Sequence, residues 1–357
     1  MKIDVRKKFL SINLMASFAA VFCSLTVAGI LIIVIGKDPF IVLNILLANL
    51  FESLYALGQI MFYATPLIFA GLSFCFAYRS GLFNIGAQGQ IYMGALLCAW
   101  VGWKFGDLPS FVLVPICILS AMAGGGLWGF IPGLLKVISG ASEVISTIMM
   151  NFIALALTNY IVSEKFYVSG TVRTPYIGES ARLIRLGNIL SVFEGSTVNM
   201  SIVFAFAAVI IIWFIMGRTR LGYELKSLGS NPDSARYYGI NIKRNTVIAM
   251  TVSGAVAGMA GINFVMGYKY YFEQGFSGSS GFMGIAVALL AMNSPVYIII
   301  SAMFFGLISY SGLMVNYLVP KEITQIIHAL LIMLILIFNT VFSRIILNRY
   351  RYKDKND

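Results

Sequence analysis

The sequence predicts an all-α, polytopic helical membrane protein of about ten membrane segments, some of them discontinuous. Three observations carry that class. Hydrophobic residues make up 59% and charged residues 11% of the 357, less than half the charged fraction of about 25% usual in soluble domains. The apolar runs are continuous and long enough for helices of ~20 residues, whereas a transmembrane β-barrel would show short alternating segments. Basic residues gather at the ends of these runs: fifteen of the 25 Lys and Arg lie in residues 2–8, 218–244 and 344–355. All three stretches, and with them both termini, are therefore expected on the cytoplasmic side. Because the formal charge of +11 is dispersed in this way, no nucleic-acid partner is expected.

Lys2, Arg6, Lys7 and Lys8 precede a run from about Leu14 to Ile35. It is longer than a signal-peptide core and no small-x-small cleavage site follows, so it reads as a retained first helix, ended by Lys37-Asp38-Pro39. Residues 40–57 are apolar but carry Asn44, Asn49 and Glu52; they are expected as a surface or re-entrant helix. The next span, about Ile60 to Tyr78, gives way to Arg79-Ser80-Gly81-Leu82-Phe83-Asn84-Ile85-Gly86-Ala87-Gln88-Gly89-Gln90. So many glycines and amides between two apolar helices imply a broken or closely packed element. A third span runs to about Trp103. The fourth, about Phe111 to Lys136, holds Gly125, Gly129 and Gly133, a small-residue row that lets helix backbones approach.

Ser142-Glu143 opens a fifth span, which contains Asn151 and ends near Val162. The polar loop 163–197, with four basic and three acidic residues, faces outward by the parity of the basic ends. A sixth span reaches Gly217. A seventh, about Thr246 to Tyr268, carries another row in Gly254, Gly258 and Gly261. From Gly281 to Pro295 a helix would rise only ~20 Å, short of the ~30 Å hydrocarbon core. Two more runs follow, about Val296 to Leu318 and Ile323 to Ile346, and the basic tail must return to the cytoplasm. A discontinuous helix, with Gly275 to Gly284 supplying non-helical backbone at depth, satisfies both requirements.

The charged island Gly217–Arg244 interrupts the apolar chain midway with six basic and two acidic residues. Tyr223 to Leu228 can form a helix that Gly229 ends, and Asn231-Pro232-Asp233 restarts it, with Asp233 placed to cap or charge the next turn. Two readings of this stretch stand side by side: a docking surface, and a basic loop that only sets topology.

Chemistry is sparse elsewhere. Cys23, Cys75, Cys98 and Cys117 lie in apolar runs without CxxC spacing or companion histidines, which suggests packing and neither a metal site nor a disulfide framework. His328 reads as a packing residue of the last run. No metal cluster, carboxylate pair or nucleophile with a base marks an enzyme, and no cofactor is implied. No GxxxxGK[ST] loop occurs, so energy for transport must come from a partner or a gradient. Glu143 is the one carboxylate in a span that could carry a proton, yet in the first helical turn an acidic residue is also favoured by the helix dipole. Asn84, Gln88, Gln90, Asn151, Asn263 and Asn293, with Phe83, Phe152 and Tyr268 nearby, offer hydrogen bonds and stacking faces without a counter-ion. That suits a small neutral polar solute, though such amides also serve to join helices.

Four motifs in order, FNIGAQGQIYMGAL (83–96), SEVISTIMMNFIAL (142–155), RTRLGYELKSLGSNPDSARYYGI (218–240) and SGFMGIAVALLAMNSP (280–295), resemble permease subunits of bacterial ATP-binding-cassette (ABC) importers for nucleosides and simple sugars. The nucleoside branch, which works with a lipoprotein receptor, is the nearer match, and the resemblance covers residues 16–340. It implies the ABC importer permease fold and one transmembrane domain over 1–357, in the bacterial cell membrane. Membrane segments would occupy 16–216 and 245–342, a cytoplasmic coupling loop 217–244 and a cytoplasmic tail 343–357. It further implies ABC ATPase subunits, a second related permease subunit and an extracytoplasmic substrate-binding lipoprotein as partners. Gly222, Glu224, Leu225, Gly229, Asn231, Pro232, Ala235, Arg236 and Gly239 would then shape or contact the ATPase cleft. Phe83, Asn84, Gln88, Gln90, Asn151, Asn263 and Asn293 would border the solute path. Gln88 stands where relatives commonly carry Glu, and Ser142 where Asn is frequent. A gradient-driven carrier is the alternative from another class.

Overall fold

The structure is a computed structural model that describes residues 54–166, 168 and 171–320, together with interrupted stretches of 22–44 and 325–337. The expectations for the basic N-terminus, His328, most of the last span and the tail 343–357 fall outside the described residues. The chain divides into two compact units, residues 53–307 and residues 1–52 with 308–357.

The larger unit begins with α1 (Leu54–Arg79), a helix buried on nearly every side, as expected of one that is apolar all round. It starts earlier than the sequence implies: Leu54–Leu57, read above as the end of a surface helix, are its first turn. Around it lie α2 (Ala87–Lys104), α3 (Ser110–Ser139), α4 (Glu143–Lys165) and α5 (Ser201–Arg218). Two short polar helices follow, α6 (Arg220–Ser230) and α7 (Pro232–Tyr237). The unit then continues through α8 (Ile242–Gly258), α9 (Ala260–Val265), α10 (Ser280–Leu290) and the first part of α11 (Tyr297–Met314). No strand occurs among the described residues.

Among the described residues six helices are long and apolar enough to cross a membrane: α1, α3, α4, α5, the nearly continuous α8–α9 and α11. Outward faces such as Ile210, Ile211 and Phe214 of α5 or Ile145 and Ile153 of α4 are exposed, as lipid contact requires. The chain is a multi-pass membrane protein. The expected total of about ten also counts the first and last spans, which lie largely outside the described residues, and α10, an apolar helix of only 11 residues.

The glycine rows do what their spacing predicts. A Cβ on Gly125 or Gly129 would collide with the carbonyl of Gly254 or Met250, and one on Gly258 with that of Ala121. Thus α3 and α8 meet backbone to backbone, the closest approach two helices can make. Gly261 meets Ala95 of α2 in the same manner.

Between α4 and α5 the polar loop is folded over the helix ends by backbone bonds. Thr174, Ile177 and Leu183 donate to the carbonyls of Phe272, Tyr270 and Met266. This loop and α6 lie at opposite ends of α1: Thr197 Oγ1 donates to Gln59 Oε1 at 2.8 Å, whereas Gly229 abuts Arg79. Twenty-six residues of helix separate the two ends by ~39 Å.

In the smaller unit Ile32, Val42, Val315 and Val319 form a core with Leu318 against it. Asp38 Oδ1 accepts from Phe40 N at 2.8 Å, so Lys37-Asp38-Pro39 ends one helical stretch and caps the next, with Pro39 in the first turn.

Candidate functional site

The charged island forms two helices whose local chemistry explains their limits. Thr219 caps α6 by accepting from Gly222 N at 3.2 Å. Gly229 does not end α6; the helix continues to Ser230 and stops at Asn231, whose extended backbone (φ −159°) cannot continue it. Asp233 is not the cap of α7 either. The Asn231 side chain accepts from Asp233 N at 3.0 Å and Ser234 N at 3.1 Å, the better arrangement because Pro232 has no N–H and suits the first helical position. Asp233 supplies first-turn charge instead.

Leu225, Leu228 and Ala235 are the buried face of this pair. Gly222 lets α6 press onto the last turn of α5, where a Cβ would strike the Ile215 carbonyl. Glu224 accepts from Arg220 Nε at 2.8 Å and from Asn245 Nδ2 of α8 at 3.0 Å. These bonds, the Asn245 amide foremost and then the Arg220 guanidinium, hold its carboxyl below the usual range. Outward stand Tyr223, Tyr237 and Tyr238 with Arg236. Gly239, at φ +75°, turns the chain into open space.

Gly229 is the point where this element meets the membrane helices. A Cβ there would lie 2.5 Å from Arg79 O and 2.7 Å from Gly81 N, and Gly81 itself has φ +75°. Only glycine permits both the contact and that turn. The corner Arg79–Gly81 is where α1 breaks. Burial, followed by the nearby Arg79 charge, pulls the Lys226 amine below its ordinary range, in keeping with the same junction. Arg79 Nε donates to Asn293 O at 2.7 Å, so the corner also holds the far end of α10. There Met292 and Asn293 both have φ +51°, an unusual pair for residues with side chains.

The first break, residues 80–86, is fixed by amides that the sequence singles out. Asn84 Nδ2 donates to Ser253 Oγ at 2.7 Å and Gln90 Oε1 at 3.0 Å, while its Oδ1 accepts from Gly86 N at 2.9 Å. Ser73 and Ser253, which the sequence did not single out, complete the cluster at 3.0 Å. Asn151 of α4 reaches across to accept from Gly89 N and donate to Ile85 O. Phe83 stacks edge-on against Phe74, 4.9 Å between ring centres.

The second break starts earlier than expected and is longer. Non-helical backbone runs from Met266 to Ser279, with Gly275 at φ +80° and Gly278 at φ +52°, while Gly281 and Gly284 lie within α10. Those two glycines serve close packing: a Cβ on Gly284 would meet Ala70 Cβ at 2.5 Å, and one on Gly281 would meet Gln88 Cα at 2.5 Å. The two breaks therefore touch. Gln88 Nε2 donates to Ser277 Oγ and Gly278 O at 3.0 and 2.8 Å, and Gln88 Oε1 accepts from Gly281 N at 2.9 Å.

Other candidates lie apart. Asn263 is fully buried on α9, accepting from Asn199 Nδ2 and Ser201 Oγ and donating to Phe62 O. Phe152 is exposed on the surface of α4. Glu143, by contrast, pairs with Lys136 at 2.6 Å beside the Phe83 backbone of the first break. No group of three metal-ligating side chains occurs among the described residues, and the described cysteines are free thiols. Arg79, the hub of the junction, carried one legible signal, a charge directly at a predicted break.

Residues 56–336 match the family described as branched-chain amino acid transport system, permease component. The chain is 36% identical over 326 residues to the guanosine ABC transporter permease protein NupP of Bacillus subtilis (strain 168), covering 90% of this chain and 93% of that one. It is 34% identical to the nucleoside ABC transporter permease protein NupB of Lactococcus lactis subsp. cremoris, over 88% of each chain. A 31% match to the glucose ABC transporter permease protein TsgB13 of Haloferax volcanii covers 91% of this chain and 87% of the other. A charged pair of short helices joined to two broken helices in a multi-pass bundle is in keeping with these matches, and the chain belongs to this family of transport-system permease components.

Proposed function

We propose that this chain is the membrane-spanning permease subunit of an ATP-driven ABC importer whose cargo is a nucleoside. The observation that carries the reading is the seating of Gly229 on the Arg79–Gly81 corner. An ATPase gripping the exposed tyrosines and Arg236 of α6–α7 would push directly on the first break, and through Arg79 and Asn293 on α10. With Gln88 binding the two breaks together, one displacement reaches both. The basic ends argue for α6–α7 and both termini in the cytoplasm of a bacterial cell.

The relatives named for guanosine and nucleosides support the cargo, as do the amides and aromatic rings gathered around the breaks. In this reading Phe83 and Gln88, both half-buried, border the path, while Asn84, Gln90, Asn151, Asn263 and Asn293 give it shape. A second, related permease chain, two ATPase subunits and an external binding lipoprotein complete the assembly by the resemblance of the four motifs. A simple sugar is the second reading, favoured by the match to a glucose permease.

The test is uptake of labelled guanosine and of labelled glucose by cells producing this chain with its partners. Guanosine should enter and uptake should stop on ATP depletion while the proton gradient is held. Uptake that survives depletion would make the chain a gradient-driven carrier, and entry of glucose alone would transfer the cargo to sugars.

A further inference from the structure

One face of α2 holds the second break through two side chains a helical turn apart. Gln88 donates to Ser277 Oγ and Gly278 O at 3.0 and 2.8 Å, and the Tyr92 hydroxyl accepts from Gly275 N at 3.0 Å. Between these anchors the chain carries Phe276. Its ring lies against three others, with centres 5.1 Å from Phe264, 5.3 Å from Phe272 and 5.3 Å from Tyr92. Tyr92 and Phe272 also meet edge-on at 6.0 Å. The three form an aromatic box, and Phe276 is its content.

Phe276 differs from the walls in burial and in mounting. Tyr92, Phe264 and Phe272 are buried, whereas Phe276 is half-buried on a loop whose Gly275 and Gly278 are exposed. Tyr92 and Phe264 stand on α2 and α9. Phe272 is tied to the folded loop, its N–H donating to Thr174 Oγ1 at 2.9 Å and its carbonyl accepting from Thr174 N at 2.9 Å. Phe276 instead stands between Gly275 at φ +80° and Gly278 at φ +52°, and a Cβ on either glycine would meet open space. These two glycines serve backbone conformation and not close packing. A ring needed only for packing gains nothing from a glycine on each side, because glycine raises the entropy lost on ordering. A ring that must swing gains two hinges.

What fills the box shows what fits it: a planar ring that meets the edges and faces of three others. The box lies beside Gln88, which borders the path in the reading above, on the side toward the folded loop. If Phe276 leaves, the Gln88 amide and the Tyr92 hydroxyl lose their loop partners together and stand free at the rim. A few convergent polar groups over aromatic walls are the composition of a small-molecule site.

We propose that Phe276 is a built-in stand-in for the base of the cargo. With residues 275–278 withdrawn, Tyr92, Phe264 and Phe272 take a planar heteroaromatic ring, and Gln88 and the Tyr92 hydroxyl bond its edge. That the ring arrives as part of a nucleoside rests on the importer reading; the fit of a planar ring does not.

The test is equilibrium dialysis of labelled guanosine, guanine, ribose and glucose against the full chain in phosphatidylcholine nanodiscs. Phe276→Ala empties the box and should tighten guanosine and guanine by about tenfold or more, since a site open about a tenth of the time loses about tenfold in apparent affinity. Ribose and glucose should be unaffected. Phe272→Ala makes a hole of the same size in a wall without freeing the hinged ring and should give no gain, and Phe264→Ala added to Phe276→Ala should abolish it. An equal gain in Phe272→Ala would mark a mere cavity and overturn the proposal, as would a gain for either sugar or none for guanine. Should Phe276→Ala fail to insert, the chain with Phe276 in place decides. An environment-sensitive fluorophore on Gln274→Cys, in a Cys23→Ser background because the other three cysteines are buried, should shift saturably with guanosine and guanine and stay still with ribose. An unmoved signal overturns the swing. Absence of guanosine uptake by the wild-type chain with its partners sinks the cargo reading and leaves guanine binding to judge the box.

Discussion

Gly281 N donates to Gln88 Oε1 at 2.9 Å, joining the start of the helix after the first break to the start of the helix after the second. Neither residue is close to the other in sequence, and each sits where a glycine-rich stretch returns to helix. This bond and its two companions from Gln88 Nε2 make the breaks one mechanical unit.

Gln88→Glu tests that unit. The carboxylate would keep the bond from Gly281 N but lose both Nε2 donors and face the Gly278 carbonyl. A cost of ~1–3 kcal/mol follows from leaving such a group unpaired. Transport by proteoliposomes should fall at neutral pH and recover as the pH is lowered, because the protonated acid regains a donor. A variant indifferent to pH would show that Gln88 does not bind the breaks through its donors.

Gly229→Ala should abolish coupled uptake while membrane insertion persists, since its Cβ would press on Arg79 O at 2.5 Å and Gly81 N at 2.7 Å. Gly217→Ala, with open space around it, is the control and should transport normally. Equal loss in both, or loss of insertion in the first, would return the charged island to a purely topological role.

Glu224 gives a pH prediction with a definite sign. Its carboxyl is held below the ordinary value by Asn245 and then Arg220, so the stability it contributes is present above the unfolded value of about 4.3. That contribution is lost only as the pH falls through the lower folded value. A fluorophore on α6 should report an unchanged seat from neutral pH down to the unfolded value. Asn245→Ala removes the main cause, and the same probe should then loosen at a higher pH.

Glu143→Gln should retain most ATP-driven guanosine uptake. Glu143 is engaged with Lys136 at 2.6 Å, so the change keeps an acceptor for the amine but removes its counter-charge, measured as a lower thermal midpoint in detergent. Loss of transport with an unchanged midpoint would revive a proton-carrying role for this residue.

Much of the site was legible in the sequence, and the misses have physical causes. The small-residue rows at Gly125, Gly129, Gly254 and Gly258 announced a close helix pair because spacing on a helix is a local property. Helix breaks near Phe83 and before Phe282 were legible through glycine and length. Asn231-Pro232-Asp233 was legible as the restart at α7, whereas α6 begins three residues before Tyr223 and ends two after Leu228, because the Thr219 cap and the extended backbone of Asn231 set its limits. The cavity lined by Arg182, Arg185 and Tyr270 was invisible, since it exists only where the loop folds over Tyr270.

The sequence by itself determined a multi-pass helical chain with a charged element at mid-length and broken helices in both halves, because hydropathy, glycine content and helix length act within a segment. Tertiary structure alone decided that Gly229 rests on the first break, that Arg79 holds the end of α10 and that Gln88 joins the two breaks. Those are contacts between residues far apart along the chain, and their partners are chosen by packing, which no local pattern encodes.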